Sequence, residues 1–115
     1  MDKTKEERIS IEIRRLNGIF KKLDKTTKNS IDGLIKRAAY MRITLEDYEK
    51  DLDERGAVEL FSQSDKLEPY ERERPVARLY NTMNKNYQSI MKQLIDLKPE
   101  YKAAAEADKL LEFLK

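Results

Sequence analysis

The sequence predicts an all-α chain: a long antiparallel helical hairpin with flanking N- and C-terminal helices, assembled into an oligomer. Apolar residues between Val76 and Leu97 fall at Val76, Tyr80, Met83, Tyr87, Ile90, Leu94 and Leu97, in alternating steps of four and three. That seven-residue repeat marks a helix with one apolar seam. Ile31, Leu34, Ala38, Met41, Leu45, Tyr48 and Leu52 keep the same rhythm, and so do Ile9, Ile13, Leu16, Phe20 and Leu23. A seam of this kind needs another apolar surface to cover it in water, and short connections between three such seams favour antiparallel packing.

The composition narrows the chemistry. A chain of 115 residues with 40% charged residues supports one domain with a modest core. With no Cys and no His, disulfides, ordinary zinc sites and thiol or imidazole catalysis are excluded. No basic start followed by an apolar run opens the chain, and its apolar runs are only a few residues long, so a soluble, cytoplasmic protein with no membrane contact is expected. Charge is unevenly placed. Residues 1–42 hold twelve Lys or Arg against six Asp or Glu, residues 43–75 hold five against eleven, and residues 76–115 hold seven against five. Such asymmetry suits one end that meets a polyanion and another that meets a basic partner or a neighbouring subunit.

The chain reads as a single helical domain, with a basic N-terminal helix in 1–28, a helical hairpin in 30–98 whose connector 57–74 is acidic, and a C-terminal helix in 99–115. The first helix is expected from about Lys3 to Asp24, with Glu6 and Glu7 near its positive end. Residues 9–23 allow a second reading as two short strands, because Ile9, Ile11 and Ile13 alternate with polar residues and Asn17-Gly18 is a hairpin turn signal. A polar stretch from Asp24 to Ser30 follows, in which Asn29 or Ser30 suits the cap of the second helix. That helix is expected from Ile31 to Arg55, with Thr44 a candidate kink and Gly56 the terminator. The connector from Ala57 to Arg74 is the least regular stretch, long enough to hold a short helix or to serve a purpose of its own. Pro75 fits the first turn of the third helix, and Pro99 separates that helix from a last one at about Glu100 to Leu114.

Catalytic signals are weak. Asp47, Asp51 and Glu54 share one helical face, yet Lys50 and Arg55 lie among them, so a solvated face outweighs a cation site. Only three Gly occur, well separated, so no phosphate-cradling loop is present. The expectation is a non-enzyme with no metal and no cofactor. Basic residues carry more. Lys21, Lys22, Lys25 and Lys28 sit around the first connection, with Lys36 and Arg37 further along, and together they form the candidate DNA-binding set. Tyr80, Met83, Tyr87, Met91 and Ile95 form the candidate oligomerisation surface, since the apolar stripe of the third helix is wider than one partner helix covers.

The run Leu34-Ile35-Lys36-Arg37-Ala38-Ala39-Tyr40-Met41, with Leu45 and Gly56, then Leu79-Tyr80-Asn81-Thr82-Met83 and Tyr87 to Leu97, resembles short terminase small subunits from phages and prophages of Gram-positive bacteria. The resemblance spans about residues 9–99. It implies a non-catalytic subunit of a DNA-packaging motor in the host cytoplasm: a ring-forming homo-oligomer that engages phage DNA and delivers it to the large terminase subunit. The connector departs from that pattern, being acidic from Ser62 to Glu73 where a Gly- and Asn-rich loop is expected, and no compact helix-turn-helix is visible. A homo-oligomeric helical adaptor that binds only protein is the alternative.

Overall fold

The computed structural model describes residues 2–98. In order they form α1 (Lys5–Ile19), α2 (Lys25–Arg55), β1 (Val58–Phe61), β2 (Tyr70–Glu73) and α3 (Pro75–Asp96), so the described chain is mainly helical, at 70%, with one small two-stranded sheet. The expected C-terminal helix at about Glu100 to Leu114 lies outside these residues.

Helix α1 starts where Thr4 caps it: the Thr4 hydroxyl accepts the Glu7 N–H at 3.1 Å, and Glu6 and Glu7 lie in the first turn. The strand reading of residues 9–23 is not realised, because α1 continues through Asn17-Gly18 to Ile19. A hairpin would place Leu16 and Phe20 on a thin two-stranded ribbon, whereas the helix puts both in the core, at 0% and 2% exposure. The first connection is shorter than the sequence suggested. Asp24, not Asn29 or Ser30, caps α2, its carboxylate accepting the Thr27 N–H at 3.3 Å. Lys25 and Lys28 therefore belong to the opening of α2 rather than to a free turn.

Helix α2 is unbroken for 31 residues, about 46 Å at 1.5 Å per residue, and Thr44 is buried within it rather than marking a kink. It ends at Gly56, whose φ of 78° and ψ of 176° suit glycine alone and whose N–H donates to the Leu52 carbonyl at 2.8 Å. Pro75 opens α3 in the first turn.

The three helices pack along their seams. Leu16, Phe20, Ile31, Ile35, Ala38, Ala39, Leu45, Tyr87 and Leu94 form one buried cluster, with Ile9, Ile13, Leu34, Met41, Tyr80, Met83, Ile90 and Met91 packed against it. Ala38 and Ala39, both fully buried, let neighbouring helices approach closely. Polar contacts show the chain directions. Arg8 meets Glu46 and Asp47 while Arg42 meets Glu12; Arg74 meets Asp51, Tyr80 meets Glu49 and Arg42 meets Tyr87. Both α1 and α3 thus run opposite to α2.

The connector is a β-hairpin rather than an irregular stretch or a short helix. Val58 pairs with Glu73, Glu59 with Arg72, Leu60 with Glu71 and Phe61 with Tyr70. The segments read Val-Glu-Leu-Phe and Tyr-Glu-Arg-Glu, so neither carries a strict apolar–polar alternation, and it is the pairing of the two that makes them strands. Arg74 anchors the base of this arm: it donates to the Gly56 carbonyl at 2.6 Å and to Asp51 at 2.7 Å, and its side chain is only 13% exposed. Beyond the base the arm stands clear of the helices. The molecule measures 65 × 46 × 24 Å, and its radius of gyration of 20.1 Å exceeds the roughly 13 Å of a compact chain of this length.

Candidate nucleic-acid interface

Two helix ends and a short turn bring four of the proposed contact residues together. Lys21 and Lys22 lie in the turn after α1, and Lys25 and Lys28 follow on one face of the opening of α2, three residues apart. All four are exposed and none makes an ion pair among the described residues. The first turn of α2 contains no acidic residue, so the positive end of its macrodipole adds to the four ammonium groups. Asp24 is the one carboxylate in the turn, and it is committed to the Thr27 N–H. Lys36 and Arg37 sit two to three turns further along α2. Lys36 is exposed and pairs with Asp32 at 2.9 Å, a contact screened by water, while Arg37 is exposed. The six cations thus divide into a cluster of four at one end and a pair along the helix.

The arginines elsewhere are mostly ion-paired, whereas Lys3, Lys50, Lys66, Lys85 and Lys92 make no ion pair among the described residues. Arg8 donates to Asp47 at 2.6 Å and to Glu46 at 3.0 Å; these hydrogen bonds, Asp47 first, raise the Arg8 pKa above its ordinary value. Arg74 and Arg55 both meet Asp51, so two of the three aligned carboxylates, Asp47 and Asp51, are held by arginines. Among the described residues no group of three or more His, Cys, Asp or Glu is arranged to hold a metal ion.

The structure also reveals a polar centre that the sequence reading missed. Glu12 is 6% exposed on the inner side of α1, and its carboxylate accepts from Arg15 Nε at 2.6 Å and Arg15 NH2 at 2.7 Å. Arg42 of α2 approaches the same carboxylate at 3.5 Å and donates to the Tyr87 hydroxyl of α3 at 3.3 Å. One acidic side chain therefore connects all three helices. The Glu12 bond raises the Arg15 pKa, and the Tyr87 hydroxyl bond is the largest cause of the raised Arg42 value. A signal was available: Glu12 lies three residues after Ile9 and four before Leu16, inside the α1 seam.

The proposed oligomerisation residues differ in exposure. Tyr87 is buried in the intrachain core, and Tyr80, Met83 and Met91 are half-buried against it. Ile95 is 39% exposed; Ile11 and Leu79, which also lie outside the seams, are exposed at 40% and 54%, as is the seam residue Leu97 at 41%. A cleft of about 230 Å³ between α2 and α3, lined by Arg42, Glu46, Glu49, Asn84 and Tyr87, falls below the usual range for small-molecule sites of about 300–1,000 Å³. Among the described residues no helix is long and apolar enough to cross a membrane.

No protein-family model matches the chain, and neither a curated protein nor a solved structure does.

Proposed function

We propose that this protein is a non-catalytic DNA-packaging subunit of the small-terminase type, which assembles with copies of itself on an antiparallel α2–α3 hairpin, engages phage DNA and passes it to a large subunit. The observation that carries the reading is the cluster of Lys21, Lys22, Lys25 and Lys28. Four exposed cations without ion-pair partners converge at a helix N-terminus, an arrangement suited to a phosphate backbone. Contacts of that kind read phosphate and not base edges, so the binding carries little sequence preference. Repetition of the cluster around an assembly strengthens it through multivalency. The exposed Ile11, Leu79 and Ile95 supply apolar surface for the assembly.

The experiment is salt-dependent retention of duplex DNA by the pure protein. Affinity should fall by about 0.9 log units per log unit of salt for each phosphate neutralised. Replacing Lys21, Lys22, Lys25 and Lys28 together with Glu should abolish retention. The fold survives the change, because Glu at positions 25 and 28 suits the positive helix end, by about 0.3–1 kcal/mol each. Retention by the variant with an unchanged salt slope would sink the DNA reading and favour the homo-oligomeric adaptor that binds only protein.

A further inference from the structure

The β-arm has two unlike faces. On one, Arg72 donates to Glu59 at 2.8 Å, its guanidinium lies 3.5 Å from the centre of the Phe61 ring, and Phe61 meets Tyr70 edge to face at 5.9 Å. That face is satisfied by its own side chains. Strand alternation and the register place Val58, Leu60, Glu71 and Glu73 together on the other. Val58 is 54% and Leu60 73% exposed, two apolar groups directly opposite two carboxylates, of which Glu73 pairs with Arg78 of α3 at 3.7 Å and Glu71 makes no ion pair among the described residues. An isolated two-stranded hairpin is marginal in water, so an arm this bare gains most from a surface that covers it.

The complementary surface lies at the opposite end of the same molecule. Near the C-terminus of α3, Ile95 is 39% exposed and Lys92, three residues earlier on the same face, is exposed and makes no ion pair among the described residues. Lysines outnumber carboxylates at this end, where Asp96 follows Ile95: Lys98 reaches to 6.0 Å from the Phe20 ring centre, which brings it beside the turn that carries Lys21 and Lys22. Lys92 and Ile95 lie about 26–30 Å along α3 from Pro75, where the arm joins it, and an arm of four-residue strands spans only about 13 Å, so one chain cannot satisfy both.

We infer that the Val58, Leu60, Glu71 and Glu73 face of the arm docks on the Lys92 and Ile95 end of a second copy of this chain, head to tail. The apolar groups meet Ile95, and the unpaired Glu71 carboxylate meets Lys92. A heterologous contact of this kind leaves a free arm and a free end on every growing assembly, and so makes a ring when the rotation closes. The inference rests on the self-assembly part of the proposed function and is independent of its DNA part.

The test uses two full-length variants, an arm variant, Val58→Asp with Leu60→Asp, and an end variant, Lys92→Glu with Ile95→Asp. Neither touches the lysine cluster at 21–28. At tens of micromolar, light scattering should give the wild type a mass of several chains and each variant alone the mass of one. Mixed in equal amounts, the variants should form a two-chain species and nothing larger, because one good arm and one good end remain. A mixture that stays at one chain overturns the inference, as does either variant keeping the wild-type mass. If the end variant loses helical circular dichroism, Lys92→Glu alone replaces it and should lower the assembly mass at low salt; no change there counts against the inference. A wild-type monomer defeats the assembly part of the proposed function as well, whereas wild-type assembly with unaffected variants defeats only this docking mode. Salt-dependent DNA retention is measured on the same samples and judges the DNA part separately.

Discussion

The Glu12 centre makes an asymmetric prediction. Removing the anion by Glu12→Gln leaves Arg15 and Arg42, whose side chains are 47% and 46% exposed and can turn to water. The loss is then close to that of a screened pair, about 1 kcal/mol. Removing the cation by Arg15→Gln is worse, because it strands a carboxylate that is only 7% exposed with a single ion-pair contact at 3.5 Å. A buried anion that loses its hydrogen-bond donors costs about 2–3 kcal/mol. Urea unfolding followed by circular dichroism separates the two: with a slope of about 2 kcal/mol per molar, Arg15→Gln should lower the midpoint by about 1 M or more and Glu12→Gln by about half that. The double variant should cost less than the two single losses added, since neither stranded group remains. Equal single losses, or additive ones, would refute the reasoning and mean that the Glu12 carboxylate is effectively hydrated in the folded protein.

Two further perturbations follow from local geometry. Adding a Cβ at Gly18 meets nothing within 4 Å, so Gly18→Ala should raise stability by about 0.5–1 kcal/mol, whereas Gly56→Ala forces a side chain into φ 78° and should lower it by about 1–3 kcal/mol; thermal unfolding that moves both the same way would contradict this. The Tyr80 hydroxyl donates to Glu49 at 2.9 Å, and that bond raises its pKa above 10.0. A folded pKa above the unfolded one means that this stabilisation is full below about pH 10 and is lost as pH rises through the folded value. Tyr80→Phe should therefore flatten the alkaline limb of the stability curve; an identical limb in both proteins would rule the bond out as its source.

The seams were legible because a period of alternating four and three is a one-dimensional signal: every member of the α1 and α2 seams, from Ile9 to Leu52, is buried or half-buried, and of the α3 seam only Leu97 is left exposed. Gly56 and Pro75 were legible for a similar reason, since each acts on its own backbone. What stayed hidden was contact between distant residues. Asn29, Ser30 and Asp24 all suit a helix cap, and the choice of Asp24 fixes where the lysine cluster stands; it follows from how tightly Phe20 and Ile31 must both reach the core. Nothing local in Glu12 announces that Arg42 and Tyr87, 30 and 75 positions on, will converge around it, and Arg74 braces the arm through Asp51, 23 residues earlier. The arm had no clear period-two signal, since Leu60 and Phe61 are adjacent apolar residues and Glu71, Arg72 and Glu73 are consecutive charges; the pairing of Val58 with Glu73 is what makes it a hairpin. Sequence alone determined which residues must be covered and where the backbone must turn; the tertiary structure decided which charges answer one another, because ion pairing depends on distances that only packed helices set.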